Sequence, residues 1–295
     1  MDFSWEKVHL DDETKTVSFI AVPDPRRYDT IEQNGETLYV DRYFGVAFGD
    51  EVFAQMAGQA PGMPIHHAPR NISSAVDYAA ARTSAVAKEL ETGEYVAPEP
   101  APARHRPMEN SEEKITSFIS IDICGSTALR RSDAVGYDTS HKLFMQEMTA
   151  AVGQFHASIV KLTGDGLIAY IDGPTINTSA DRALDLGSSV LGILHGGLNP
   201  ALKSAGLPRL SVRIGADIGA ACVRQFGSPA TGFSQAEVVS DALNRAVKIQ
   251  EIAGTNEFWV GDDLRRCQHV QWLERLTLVE PAPAALDEYP CYRLD

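Results

Sequence analysis

The sequence predicts an α+β fold on a ferredoxin-like plan, with a small module in front of it. Three observations carry that expectation. Beyond residue 113, short apolar runs and long amphipathic stretches follow the order strand, helix, strand, strand, helix, strand. The stretch Gly93–Glu113, GEYVAPEPAPARHRPMENSEE, sets prolines 98, 100, 102 and 107 among charges, a composition that favours extended, solvated chain. The 295 residues suffice for two domains of roughly 100–200 residues each. The expected organisation is a module of unknown role at 1–92, a linker at 93–113, the main domain at 114–280 and a tail at 281–295.

Taken in order, Thr16–Val22 and Thr37–Phe48 read as β-runs. A helix from about Ser74 to Leu90 opens on a capping box, Ser74 with Asp77, and continues through AAARTSAVAKEL. The pair His66–His67 reads as loop, because no third ligand stands at metal spacing. In the main domain, Lys114–Ile123 (KITSFISIDI) alternates like a half-buried strand. Leu143, Phe144, Met148, Val152 and Phe155 mark one face of a helix over 137–156. Strands Ser158–Leu162 and Leu167–Ile171 flank the turn Thr163–Gly166, and a helix follows over 178–195. Strands Leu210–Asp217 and Ala220–Phe226 flank Gly219, a second hairpin signal, before a helix over 240–253 and a strand at Phe258–Val260. The tail DEYPCYRLD reads as an added edge strand. On this plan one sheet face carries the helices and the other is left for a ligand or partner.

Charge and motifs narrow the chemistry. A net charge of −14 argues against nucleic acid or an anionic membrane as the main partner. It suits a small anionic ligand only where cations are recruited locally. Cys124, Cys222, Cys267 and Cys291 stand far apart without a CxxC pair and read as reduced thiols. The acidic start MDFSWEKVHLDDETK is unlike a secretory or transit segment, and no apolar run reaches the ~18 residues of a spanning helix. The expected location is the cytoplasm. No GK[ST] phosphate loop, HExxH or GxSxG is present.

Two aspartates end apolar strands where the chain turns: Asp122 in SIDICGST and Asp165 in KLTGDGL. Alone, Asp-Gly is ordinary hairpin chemistry and Asp122 an ordinary cap. Two carboxylates converging from neighbouring strands, however, make a hard-oxygen site for Mg²⁺ or Mn²⁺. The following residues, Ile123, Cys124, Gly125, Ser126 and Thr127, can present backbone N–H groups to phosphates. Asn244 and Lys248 share one helix face at i and i+4.

The series Phe118–Thr127 (FISIDICGST), Lys161-x-x-Gly164-Asp165-Gly166, Val212-Arg213-Ile214-Gly215 and Asn244-x-x-x-Lys248 resembles class III nucleotidyl cyclases over roughly residues 112–262. The resemblance implies two divalent metal ions bound by Asp122 and Asp165 with help from the Ile123 carbonyl. It implies base reading by Lys161 and Glu237, ribose orientation by Asn244, and transition-state stabilisation at position 248. It also implies a head-to-tail homodimer with active sites at the interface. Lys248 departs from the arginine usual there, replacing a planar fork with a point charge. Val238-Val239-Ser240 departs from the usual aromatic residue and glycine.

Lysine donors with glutamate acceptors suit adenine and uracil equally. The layout of module, proline-rich linker and lone catalytic domain resembles the bacterial antiphage pyrimidine cyclases. That implies UTP as substrate, cyclic UMP as product and a separate cyclic-nucleotide-binding effector. The alternatives are an adenylate cyclase, a cytidylate cyclase making cyclic CMP from CTP, and a non-catalytic nucleotide-binding module that dimerises.

Overall fold

Residues 1–11, 16–58, 72, 74–109, 111–228 and 230–295 are described by a computed structural model. The chain divides into two units, Met1–Ala68 with His269–Glu274, and Pro69–Gln268 with Arg275–Asp295.

In the first unit, β1 (Phe3–Asp11) and β2 (Thr16–Pro23) form an antiparallel pair. β3 (Tyr28–Gln33), β4 (Glu36–Asp41) and β5 (Ala47–Gly49) form a second sheet, followed by α1 (Asp50–Gly58). The expected run 37–48 is broken because Asp41 Oδ1 accepts the Tyr43 and Phe44 amides at 2.8 and 3.1 Å, an Asx turn that competes with the ladder. His66 and His67 lie outside the described residues.

The second unit opens with α2 (Ala75–Thr92), capped by Ser74 Oγ on the Asp77 amide and closed by Gly93 in the left-handed region. Then come β6 (Lys114–Ile123), α3 (Ser126–Ser132), α4 (Ala134–Gln154), β7 (Ala157–Leu162), β8 (Gly166–Ile171) and α5 (Ile176–Ile193). A π turn (Leu194–Leu198) leads into α6 (Asn199–Ser204), β9 (Val212–Ser228), β10 (Phe233–Val239), α7 (Asp241–Ile252), β11 (Glu257–Gly261) and α8 (Asp262–Arg266). α9 (Val270–Leu273) belongs to the first unit, and β12 (Leu276–Leu278) and β13 (Cys291–Leu294) return to the second.

The central four strands lie in the order β9-β6-β8-β7, all antiparallel. This is the βαββαβ arrangement with chain order 4-1-3-2 expected from the sequence. β11 extends it in parallel beside β9, and β13 and β12 complete that side. The tail is therefore an inner strand, with β12 outside it.

Four further expectations are corrected. Thr116–Ile121 is buried throughout, because both faces of β6 are covered. The apparent alternation came from serines that are buried but bonded: Ser117 to Ser179 of α5 at 2.8 Å, and Ser120 to Gln250 of α7 at 3.4 Å. The second sheet face is thus no open surface around β6; Phe118, Tyr170, Ala221, Ala242 and Ala246 form a core there under α7. Gly219 is not a turn. β9 runs through it, and a Cβ at that position would stand 3.0 Å from Ala242 Cβ. Glycine here lets α7 approach the strand.

The proline-rich segment is exposed over most of its length, as expected, but is a bonded strap and not a free linker. The Ala103 amide donates to Gly153 O at 3.0 Å, Gln154 to Pro100 O at 2.6 Å, Arg106 N to Ser158 Oγ at 3.0 Å and Tyr170 OH to Arg106 O at 2.9 Å. Proline removes donors but leaves carbonyls, so the strap bonds through the Pro100 and Arg106 carbonyls and the amides of the non-proline residues Ala103 and Arg106.

α2, expected in the N-terminal module, falls within the second unit. Its face carrying Ala79, Arg82 and Val86 is buried, and Thr83 Oγ1 donates to the π-turn carbonyls of Gly196 and Gly197 at 3.0 and 3.1 Å. Arg82, 4% exposed, pairs with Glu147 of α4, 2% exposed, through two bonds of 2.7 and 2.8 Å. Removing one partner leaves a buried charge. Arg82→Ala is expected to cost about 3–5 kcal/mol in a denaturant titration followed by circular dichroism.

Candidate active site

The site begins at the C-terminal end of β6. Register pairs Asp122 with Gly166 of β8 on one side and Arg213 of β9 on the other. Asp165 immediately precedes Gly166, so the β7–β8 turn delivers a second carboxylate beside the first. The two glycines of Gly-Asp-Gly have different reasons. Gly164 has φ 96°, which the turn requires, with open space around it. A Cβ on Gly166 would stand 2.1 Å from Ile121 O and 3.1 Å from Asp122 Oδ1. Close approach of strand and carboxylate excludes any other residue there.

Beyond Ile123 the chain is redirected by Gly125 at φ 66° into α3. This brings Ser126 Oγ to Asp165 Oδ2 at 2.5 Å. Of the residues expected to face phosphate, Cys124 has already given its amide to Ser211 O at 2.8 Å. The Ser126 and Thr127 amides open α3, whose first turn leaves donors unpaired. The amides left for an anion are therefore those of Gly125–Thr127, and the Ser126 side chain is bonded to the Asp165 carboxylate.

Electrostatics match two acids forced together. Burial, then a hydrogen bond and negative charge from Asp165, push Asp122 up to about 6, against a smaller opposing pull from Arg213. Asp165 moves the other way: burial raises it, but bonds from Ser126 and Asp122 hold it below the usual carboxylate range. A cation between the two carboxylates would relieve the repulsion that contributes to raising Asp122. The donor set, two half-buried carboxylates with a strand-end carbonyl, fits hard divalent ions.

Sequence reasoning matched the Val-Arg-Ile-Gly run without assigning its arginine a role. Arg213 Nη2 lies 3.2 Å from Asp122 Oδ2, and Nη1 donates to Glu251 O near the end of α7 at 2.7 Å. A lone arginine inside an apolar strand was the available signal. Tyr137 and His141, ring-stacked at 5.7 Å, were also missed; with Ser126, Thr127 and Asp165 they line a cavity of about 370 Å³. Their sequence context is an ordinary helix face and carried no signal.

The remaining expected residues lie elsewhere in the unit. Lys161 is exposed on β7, and Glu237 on β10 accepts Gln235 Nε2 at 2.5 Å. Asn244 and Lys248 are exposed on α7, and their side chains, like that of Lys161, have no partner among the described residues. No contact joins these four to Asp122 or Asp165 among the described residues. Arg245 cannot stand in for Lys248. Its guanidinium bonds the fully buried Asp217, pairs with Asp263 at 2.9 Å and lies 5.1 Å over the Tyr289 ring.

Because protons and cations compete for the pair, Mn²⁺ affinity is expected to rise from pH 5 to pH 7, as Asp122 ionises through about 6. Calorimetry at several pH values reads this as proton release on binding at the lower pH. Asp165→Asn is expected to return Asp122 toward the ordinary carboxylate range in a ¹³C titration, since the neighbouring charge is gone.

No family model and no curated protein matches the sequence. Solved structures do match the fold. The adenylyl cyclase CyaB from P. aeruginosa is 16% identical, covering 62% of this chain and 96% of its own, with a TM-score of 0.52. The guanylyl cyclase Cya2 is 18% identical over 63% of this chain and 93% of its own, at 0.51. A double mutant of the guanylyl cyclase domain of the RhoGC fusion protein from the fungus Blastocladiella emersonii is 14% identical over 64% and 98%, at 0.50. The second unit of this chain has the mixed α+β fold of class III nucleotidyl cyclase catalytic domains.

Proposed function

We propose that this chain is a nucleotidyl cyclase, closing a nucleoside triphosphate into a 3′,5′-cyclic monophosphate with release of pyrophosphate. The observation that carries the reading is the Asp122–Asp165 pair, two carboxylates brought together by strand register beside the N-terminus of α3. That pair, with the Ile123 carbonyl, would hold two divalent ions, Mn²⁺ or Mg²⁺. When bound, such ions promote loss of the 3′-hydroxyl proton and offset charge on the pyrophosphate.

The chain's own groups do the rest. The Gly125–Thr127 backbone receives phosphate oxygens, and Arg213, one strand away from Asp122, adds a cation to the same end of the sheet. Asn244 orients the ribose and Lys248 places positive charge at the reacting phosphorus. Lys161 and Glu237 read the base. In the reaction the 3′-oxygen forms a bond to the α-phosphorus, the bond to the bridging oxygen breaks, and pyrophosphate leaves.

The separation of the two residue sets supports a homodimer in which each active site takes its aspartates from one protomer and its α7 residues from the other. Leu162, Phe226, Phe233 and Val239 are 44–56% exposed on the strands that carry or adjoin Lys161 and Glu237, apolar area that such an interface would cover. For the base we propose uracil, with UTP as substrate and cyclic UMP as a cytoplasmic messenger to an effector in antiphage defence. This rests on the layout and on the Lys161–Glu237 pair; adenine satisfies the same pair, so adenylate cyclase is the alternative. Lys248, exposed and lacking arginine's fork, favours a second reading, a nucleotide-binding dimerisation module without turnover.

Incubation with equal ATP, GTP, CTP and UTP plus Mn²⁺, followed by chromatography, is expected to yield cyclic UMP; cyclic AMP would overturn the base assignment only. Asp165→Ala is expected to reduce product to background with an unchanged circular dichroism spectrum, and retained turnover would refute the two-carboxylate mechanism. Lys248→Ala is expected to lower kcat roughly 100-fold, and Lys248→Arg to raise it through bidentate phosphate contact. Tight triphosphate binding without pyrophosphate release in all variants would favour the non-catalytic module.

A further inference from the structure

A second cavity, about 590 Å³, opens at the N-terminal end of β9 and is lined by His195, Asn199, Arg209, Leu210, Ser211 and Asn256. None of these residues belongs to the candidate active site. Its floor is built from the backbone of 210–212, held by two asparagines. Asn199 donates to Leu210 O at 2.8 Å and accepts the Leu210 amide at 2.9 Å. Asn256 accepts the Val212 amide at 3.1 Å and donates to Ser211 Oγ at 3.4 Å. Both asparagines hold the floor and Ser211 Oγ accepts from one of them, which leaves the ligand chemistry to the two polar side chains not bonded into it.

Those are Arg209 and His195, both exposed and without a side-chain partner among the described residues. The arginines at 26, 27, 42, 82, 130, 213, 245, 265 and 293 are committed to carboxylates, whereas the guanidinium of Arg209 is not. An arginine left unpaired beside an imidazole on a polar floor is a recognition pattern for an oxyanion. Leu210 is the single apolar lining residue, and no Phe, Tyr or Trp is present to stack a base. The chemistry therefore selects a small, hydrophilic anion over a nucleoside. His195 stands in the π turn, an element enriched at functional positions.

The floor also touches the active-site loop. Ser211 O accepts the Cys124 amide at 2.8 Å, one residue before the turn at Gly125. We propose that this cavity binds a phosphate-class oxyanion between Arg209 and His195, and that occupancy is transmitted through Ser211 to the 124–127 loop. Binding does not depend on the cyclase reading; only the meaning of the relay rests on it. Two sources share the chemistry, ambient inorganic phosphate and pyrophosphate, the product of the proposed reaction.

The test is calorimetric titration of the full chain, stripped of metal, with inorganic phosphate and separately with pyrophosphate. Saturable binding is expected, weakened at least tenfold in Arg209→Ala/His195→Gln and unchanged in Asp165→Asn. Both substituted side chains are exposed, and matching circular dichroism confirms that the variant folds. Selective ¹⁵N-cysteine labelling then follows the relay: the Cys124 amide resonance is expected to shift on anion addition in the parent chain and not in the double variant. Tighter phosphate points to an ambient regulator, tighter pyrophosphate to product feedback. Absence of saturable binding by either anion, or binding indifferent to the double substitution, would overturn the site; binding with a stationary Cys124 amide would overturn the relay. A chain without cyclase activity that still binds the anion would refute the proposed function and leave this site standing.

Discussion

Two carboxylates are held together at the end of a sheet, and the surrounding structure is arranged to tolerate it. Register makes the juxtaposition unavoidable: Asp122 pairs with Gly166, and Asp165 precedes it. Repulsion between them is partly relieved by the Ser126 hydroxyl on Asp165 and by Arg213 on Asp122. The two reliefs come from different elements, α3 and β9, so the pair records the position of both. Like charges this close persist in a fold where function or a cation repays the cost.

The seating of α7 is the second determinant. Gly215 and Gly219 on β9 remove side chains where the helix crosses; a Cβ on Gly215 would stand 2.3 Å from both Ala246 O and Gln250 N. The rotation of the helix is set by Arg245, drawn inward by buried Asp217. Burial pushes that carboxyl up to about 6 even with Arg245 bonded to it, so the ion pair is held under strain from desolvation. Tyr289, just ahead of β13, lies under the Arg245 guanidinium of α7 and accepts the Asp263 amide of α8 at 2.7 Å, tying the C-terminal residues to both helices. With Arg245 facing in, Asn244 and Lys248 face out. Their exposure follows from what their neighbour binds.

Much of this was legible in the sequence because it is local. Strand and helix periods, the Ser74 cap, the Thr163–Gly166 turn and the βαββαβ order are written within windows of a few residues, where propensity and patterning act. The aspartate pair was legible for the same reason: each ends an apolar strand beside glycine. Misreadings arose where one residue type serves two purposes. Gly219 looked like a turn but serves close packing, the serines of β6 looked solvent-facing but are bonded inside, and the proline-rich segment looked like free linker but lends the Pro100 carbonyl to α4 and the Arg106 carbonyl to β8.

The sequence by itself determined the fold class, the order of its elements and the identity of the acidic pair, since these depend on neighbours along the chain. The tertiary structure decided that α2 joins the second unit, that Arg213 touches Asp122, that Arg245 is unavailable to phosphate, and that Arg209 and His195 share a cavity. Those facts join residues tens of positions apart. A charged side chain carries no local mark of its eventual partner, because the partner is chosen by which backbones pack closely enough to exclude water between them.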